Sequence, residues 1–136
     1  MISESGYREI AHTADWELEA WAPDLAGLIF QAVLGMQSLA GLEFDQDFSM
    51  VETIVVEGDD PESLLVGLLA ELLYIQESRN LGAEQLLIQV NGKRLMAEII
   101  FRKVLLIRKE IKAVTWHHLK VENFEGGVKT RIVFDV

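Results

Sequence analysis

Hydrophobic and polar positions change their period several times along this chain, and each change marks an element. Trp16, Leu18 and Ala20 alternate with Glu17, Glu19 and Trp21, the two-residue period of a half-buried strand. Residues 7–12 read as a second short strand, separated from the first by the turn His12-Thr13-Ala14-Asp15. After Pro23 the period becomes helical. Leu25, Leu28, Ile29, Ala32, Val33, Met36 and Leu39 fall on one stripe. Asp24 stands where an N-cap would accept from orphan amides, and Gly41 where a left-handed residue would end the helix. Gly27 and Gly35 each cost roughly 1 kcal/mol against alanine inside a helix. Close packing on a sheet is the simplest reason to keep them.

The pattern then predicts an acidic loop over 43–48 and a strand over 50–57, rich in β-branched residues. A second helix starts with Asp60 as cap, Pro61 at the first position and Glu62 at the positive end of the dipole. Leu64, Leu65, Leu68, Leu69, Leu72, Leu73 and Ile75 form its buried face, and Asn80-Leu81-Gly82 stops it. Strands over 85–90 and 94–101 flank Asn91-Gly92, a two-residue hairpin signal. Residues 103–121 hold one long strand or two, with Ile111, Ala113, Thr115 and His117 on one side. Gly126-Gly127 turns the chain into a last strand over 130–135. Two helices among mostly hairpin-linked strands predict an α+β fold. The helices pack on a predominantly antiparallel β-sheet, and residues 1–136 form a single compact domain.

Half of the 136 residues are hydrophobic, which excludes a disordered chain. There is no cysteine, so disulfides, thiolate zinc sites and cysteine nucleophiles are excluded, as suits a reducing cytosol. Residues 1–7 lack the charged start and apolar core of a signal peptide. No apolar run approaches the roughly 18 residues of a membrane span. The expected location is cytoplasmic, with no membrane partner. Net charge is −10, from 12 basic and 22 acidic residues. That argues against direct nucleic-acid binding, which draws its affinity from lysines and arginines on phosphates. Arg102, Lys103, Arg108, Lys109 and Lys112 read as a strand pair with wet ends rather than an RNA track. An acidic protein is better suited to a basic protein or a cation.

Asp15 and Asp135 are the residues with the most chemistry to offer. Ca²⁺ and Mg²⁺ take carboxylate, carbonyl and water oxygens, and an aspartate near a chain end can share a cation with main-chain oxygen. The alternatives are a turn aspartate satisfying nearby amides and an exposed residue ending a strand. Imidazole as a class changes charge near neutral pH, so His12 and His117 are candidate ligands, general bases or hydrogen-bonded structural residues. His118 is expected to face away from His117, as neighbours in a strand do. Ser63 and Ser78 lie in helical segments without a nucleophile elbow, and no phosphate-binding glycine loop is present. Trp16, Trp21 and Trp116 read as core or half-buried sheet residues. No nucleophile has an adjacent base, so the reading is not an enzyme.

Four segments together resemble the archease family. They are Tyr7-Arg8-Glu9-Ile10-Ala11-His12-Thr13-Ala14-Asp15 followed by Glu19-Ala20-Trp21; Leu64-Leu65-Val66 leading to Glu71-Leu72-Leu73-Tyr74; Ile111-Lys112-Ala113-Val114-Thr115-Trp116-His117; and Ile132-Val133-Phe134-Asp135-Val136. The resemblance implies a small α+β protein that is not itself a catalyst. It would assist an RtcB-type RNA-splicing ligase in tRNA splicing and RNA repair, promoting guanylylation of the ligase and restoring its turnover. It also implies a divalent-metal site, for Ca²⁺ or Mg²⁺, at Asp15, Asp135 and Val136. Val136 has no ligating side chain and would contribute main-chain oxygen. Lys112, His12 and His117 are the candidate partner contacts. The chain departs from the family pattern at 99–108, which is apolar and basic, and at Gly67, Ala70, Trp116 and His118. Two other functions fit the same residues: a metal-stabilised chaperone or binding module for another client, and a metal-dependent phosphoester hydrolase.

Overall fold

The computed structural model describes residues 4–11 and 16–136, so His12 and Asp15 lie outside the described residues. Helix α1 (Leu25–Ala40) starts at Asp24, whose carboxylate accepts from the Gly27 amide at 2.8 Å. It ends at Gly41 in the left-handed conformation, with the Gly41 amide donating to Gln37 and Ser38. Helix α2 (Pro61–Arg79) starts at Asp60, which accepts from the Ser63 amide at 2.7 Å. Hydrogen bonding with Ser63, its side chain first and then its amide, holds the Asp60 carboxyl below its ordinary pKa. All seven residues expected on its apolar face are buried. Its stop is Asn80 alone, left-handed at φ 56°, and the next strand begins at Leu81 without a loop. The Asn80 side chain donates to the Val104 carbonyl at 2.9 Å, while its own carbonyl accepts from the Val104 amide.

Among the described residues nine strands accompany the helices: β1 (Gly6–Ile10), β2 (Trp16–Ala22), β3 (Glu43–Phe44), β4 (Met50–Glu57), β5 (Leu81–Asn91), β6 (Arg94–Leu106), β7 (Ala113–Val114), β8 (Glu122–Phe124) and β9 (Gly127–Asp135). Every pairing is antiparallel, as expected, and the strands divide between two sheets. One runs β1-β2-β9-β7, with β8 also on β9. In the other, β6 is central: β4 and β5 flank it on opposite edges along residues 94–101, and β3 pairs with its end at Val104 and Leu106. Each helix contacts both sheets, and the apolar faces of all these elements merge in one core. Gly35 is where α1 meets the first sheet: a Cβ there would lie 2.5 Å from Leu18 Cδ2. No helix among the described residues is long and apolar enough to cross a membrane.

The structure corrects the sequence reading at several places. The acidic segment 43–48 opens with strand β3, paired with the end of β6. The β5–β6 turn is Gly92-Lys93, one residue on from the expected pair, because Asn91 still pairs with Arg94 and Gly92 carries the positive φ. Residues 103–121 are largely irregular. Strand β6 ends at Leu106, and β7 has only two residues. Ile111 is buried while Ala113 and His117 are exposed, so the expected shared side does not exist. Half-buried tethers replace ladder bonds here: the Val121 amide donates to Glu62 at 2.6 Å, and Thr130 Oγ1 to the Lys120 carbonyl at 2.8 Å. Trp116, read as a sheet residue, is 57% exposed.

Candidate functional site

Of the sequence candidates among the described residues, Asp135, Val136 and Lys112 lie at one end of the first sheet, where β9 finishes and β2 begins. Ile132 and Phe134 point into the core, so the alternation leaves Asp135 exposed on the opposite face. Antiparallel pairing sets Phe134 opposite Trp16 and Asp135 opposite Ala113. The Lys112 amide donates to the Asp135 carbonyl at 2.8 Å, fixing the last turn of backbone before Val136. Val136 is half-buried and packs on the core. Trp16 is half-buried too, with Lys109 Nζ 4.9 Å from its ring centroid, within cation–π range. Thr115 gives both its amide and its Oγ1 to the Val133 carbonyl, each at 3.0 Å. The segment preceding this turn is thereby locked against β9.

Of the sequence candidates, Asp135, Val136 and Lys112 therefore share one neighbourhood through the main chain. His117 does not join them by any hydrogen bond or ion pair among the described residues. Its geometry corrects the expectation for the histidine pair. His118 is left-handed at φ 53°, and the Leu119 amide closes a turn on the Trp116 carbonyl. In a turn, neighbouring side chains need not diverge, and the two imidazoles contact with centroids 4.0 Å apart. The His117 amide donates to Thr115 Oγ1 at 3.3 Å. Among the described residues no group of three or more histidine, aspartate or glutamate side chains is arranged to hold a metal.

One feature next to the site had no sequence signature. A groove of about 730 Å³ runs between α2 and residues 107–114, lined by Tyr74, Glu77, Glu110, Ile111, Lys112 and Val114 among others. Lys112 thus joins the Asp135 strand end to the groove. Tyr74 is largely exposed on a helix whose other large apolar residues are buried. The rest of the basic run is tied down. Arg102 Nη1 donates to the Gln46 and Phe48 carbonyls, and Arg108 pairs with Glu43.

Two helices bridging two antiparallel sheets, with an exposed carboxylate at a strand terminus near an open groove, define a small α+β protein. The model of the Archease protein family (MTH1598/TM1083) matches residues 7–136, and the chain belongs to that family. A "Probable protein archease" of Mycobacterium tuberculosis is 38% identical over 78 residues; the match covers 56% of this chain and less than half, 42%, of that relative. The Dictyostelium discoideum "Protein archease-like" is 28% identical over 141 residues, covering 96% of this chain and 93% of its own. The Archaeoglobus fulgidus "Protein archease" is 27% identical over 146 residues, covering 96% and 98%. The fold matches the crystal structure of a Thermotoga maritima archease, described as a possible chaperone. Its TM-score is 0.68 at 22% identity, over 95% of this chain and 94% of that one. The solution structure of Methanobacterium thermoautotrophicum protein 1598 also gives 0.68, at 24% identity over 96% and 99%.

Proposed function

We propose that this chain is a cytoplasmic, non-catalytic accessory protein of an RtcB-type RNA-splicing ligase, promoting guanylylation and turnover of the ligase. Membership of the archease family carries the reading. We further propose that Asp15, Asp135 and main-chain oxygen of Val136 hold a Ca²⁺ or Mg²⁺ ion. Three observations support it. Trp16 is the register partner of Phe134, so the chain neighbours of the two aspartates are themselves neighbours across the ladder. The donor set is all oxygen, which suits a hard cation. The Asp135 carboxylate is exposed, while its carbonyl is already engaged by Lys112, so the side chain is the free oxygen donor.

Each residue then has a distinct part. Asp135 offers a carboxylate, Lys112 fixes the backbone that aims it, and Val136 anchors the chain end by packing on the core. A cation held there would supply positive charge to anionic groups of a nucleotide or of the partner's active site. The Lys112 ammonium and the groove beside it are the proposed partner contacts, with His12 and His117 as secondary ones. RNA contact would fall to the ligase, because a net charge of −10 repels phosphates.

The test mixes the protein with an RtcB-type ligase from the same source and follows covalent guanylylation. Wild type is expected to accelerate it, and Asp15→Ala and Asp135→Ala to lose that effect while keeping their melting temperatures in metal-free buffer. Failure of wild type to stimulate overturns the ligase role and favours another client, the chaperone reading. Calcium titration checks the metal separately. At a hundredfold excess over its dissociation constant, a bound ion adds about 2.7 kcal/mol of stability. That rise in melting temperature should be present in wild type and absent in Asp135→Ala.

A further inference from the structure

The second sheet leaves one face bare. Its inner residues Leu95, Ala97, Ile99 and Phe101 are fully buried against the helices. Outward, cross-strand rows follow the register: Val51, Ile100 and Gln85; Thr53, Glu98 and Leu87; Val55, Met96 and Gln89; Glu57, Arg94 and Asn91. Val51 is 62% exposed, Leu87 60%, Val55 43% and Met96 40%. These exposed apolar side chains, gathered on one sheet face among polar ones, are the composition of a contact surface rather than of a fully solvated face. Two charges stand out along its centre. Glu98 and Arg94 lie on the same strand, two positions either side of Met96, and both point outward. Neither has an ion-pair partner among the described residues, although Glu57 faces Arg94 across the ladder.

We propose that this face pairs with the same face of a second copy of the chain. The order Arg94, Met96, Glu98 is self-complementary. A two-fold axis in the plane of the interface, crossing the strands at Met96, lays β6 antiparallel over β6 of the second copy. Met96 then meets Met96 of the second copy, and Arg94 meets Glu98 of the second copy on both sides. Isologous contacts have this reciprocity: residue i meets j, and j meets i. The same axis sets Glu57 over Thr53 of the second copy, so no carboxylate faces a carboxylate. In a protein carrying ten excess negative charges, this is a patch where contact between copies is locally attractive. Sheets pack face to face about 10 Å apart, which an arginine and a glutamate span together. The axis at Met96 overlays the rows of Arg94, Met96 and Glu98 on one another, so three strands and three rows give a flat area of about 300 Å² per copy. At roughly 600 Å² in total the pair is well below the standard interface size and associates weakly, with a dissociation constant on the order of 100 µM.

Sedimentation velocity from about 5 µM to about 500 µM, bracketing that value, tests the pairing, with circular dichroism confirming that each variant folds. Wild type should shift from monomer towards dimer as concentration rises. Arg94→Glu and Glu98→Arg, each alone, should stay monomeric, since each sets like charges against one another. The double variant Arg94→Glu/Glu98→Arg rebuilds both pairs with the signs exchanged and should recover the dimer. Wild type remaining monomeric throughout overturns the proposal. So does a dimer that either single reversal leaves intact, or a double variant that stays monomeric. If wild type is monomeric and the single reversals instead abolish binding to the ligase, the face belongs to that partner and self-pairing is wrong.

Discussion

A methyl group at Gly35 would lie 2.5 and 2.8 Å from the two δ-carbons of Leu18 and 2.9 Å from Tyr7 Cδ1. Leu18 is fully buried and has nowhere to retreat. Gly35→Ala gains roughly 1 kcal/mol of helix propensity and loses about 1–3 kcal/mol to overpacking, so thermal unfolding should show a net loss. At Gly127 a Cβ would land on the Ala22 carbonyl oxygen, and backbone yields less readily than a leucine tip. Gly127→Ala should therefore lower the melting temperature more than Gly35→Ala. Both glycines are visible in the sequence, but only for Gly35 does the periodicity demand an explanation. Residue-scale chemistry was legible where the rule is local. Asp24, Asp60 and Gly41 sit in caps defined by their immediate neighbours. The histidine pair was not legible, because its geometry depends on the chain leaving a strand that the alternation suggested.

Gln37 links two elements in a way that no local pattern signals. Its side-chain amide donates to the Ala83 carbonyl at 2.6 Å and accepts from the Ala83 amide at 2.8 Å, completing β5 where its register on β6 slips between Ala83 and Gln85. Ala83 is almost fully buried, so Gln37→Ala strands two backbone groups. The expected cost is about 2 kcal/mol or more, read from denaturant unfolding. Asn80 ends α2 by two means, a tolerated left-handed backbone and a side-chain bond to Val104. Asn80→Gly keeps the first and Asn80→Ala neither, so alanine should be the more damaging. Asp60 adds a pH dependence. Its folded pKa is depressed by the bonds to Ser63, so its contribution is full above about pH 4, its unfolded value. It is lost as pH falls through the lower folded value. Asp60→Asn should flatten that acidic limb of the melting curve. Helices α1 and α2 and strand β4 were readable because each repeats its period for two turns or more. The stretch after Leu106 was not, because its contacts are tethers to distant residues such as Glu62 rather than a repeat.

For the molecule as a whole, net charge sets one expectation. Ten excess negative charges on 136 residues repel one another in the compact state. Raising salt from low ionic strength to about 0.15 M, where the screening length is about 8 Å, should raise the melting temperature. The fold class was readable in advance, since two amphipathic helices and hairpin signals leave few arrangements. The division into two sheets was not. It depends on β9 choosing β2, β7 and β8 while β6 chooses β3, β4 and β5, and alternation says which face is buried but not which strand is the neighbour. The strand end that carries Asp135 was readable, while the groove lined by Lys112 arises only from packing.

Strand β9 lies at the heart of its sheet, and its longest partner is β2, with more than a hundred residues of chain between Trp16 and Phe134. Pairings so remote in sequence are slow to form, because loop-closure entropy is lost before any contact compensates. The helices and the β5–β6 hairpin can assemble while β2 still waits. The strand end that carries Asp135 thus belongs to the ladder with the greatest sequence separation among the pairings. Occupancy of that corner by a ligand would accordingly report that the whole chain has reached its native topology, and a partner that reads it would be engaging only fully matured molecules.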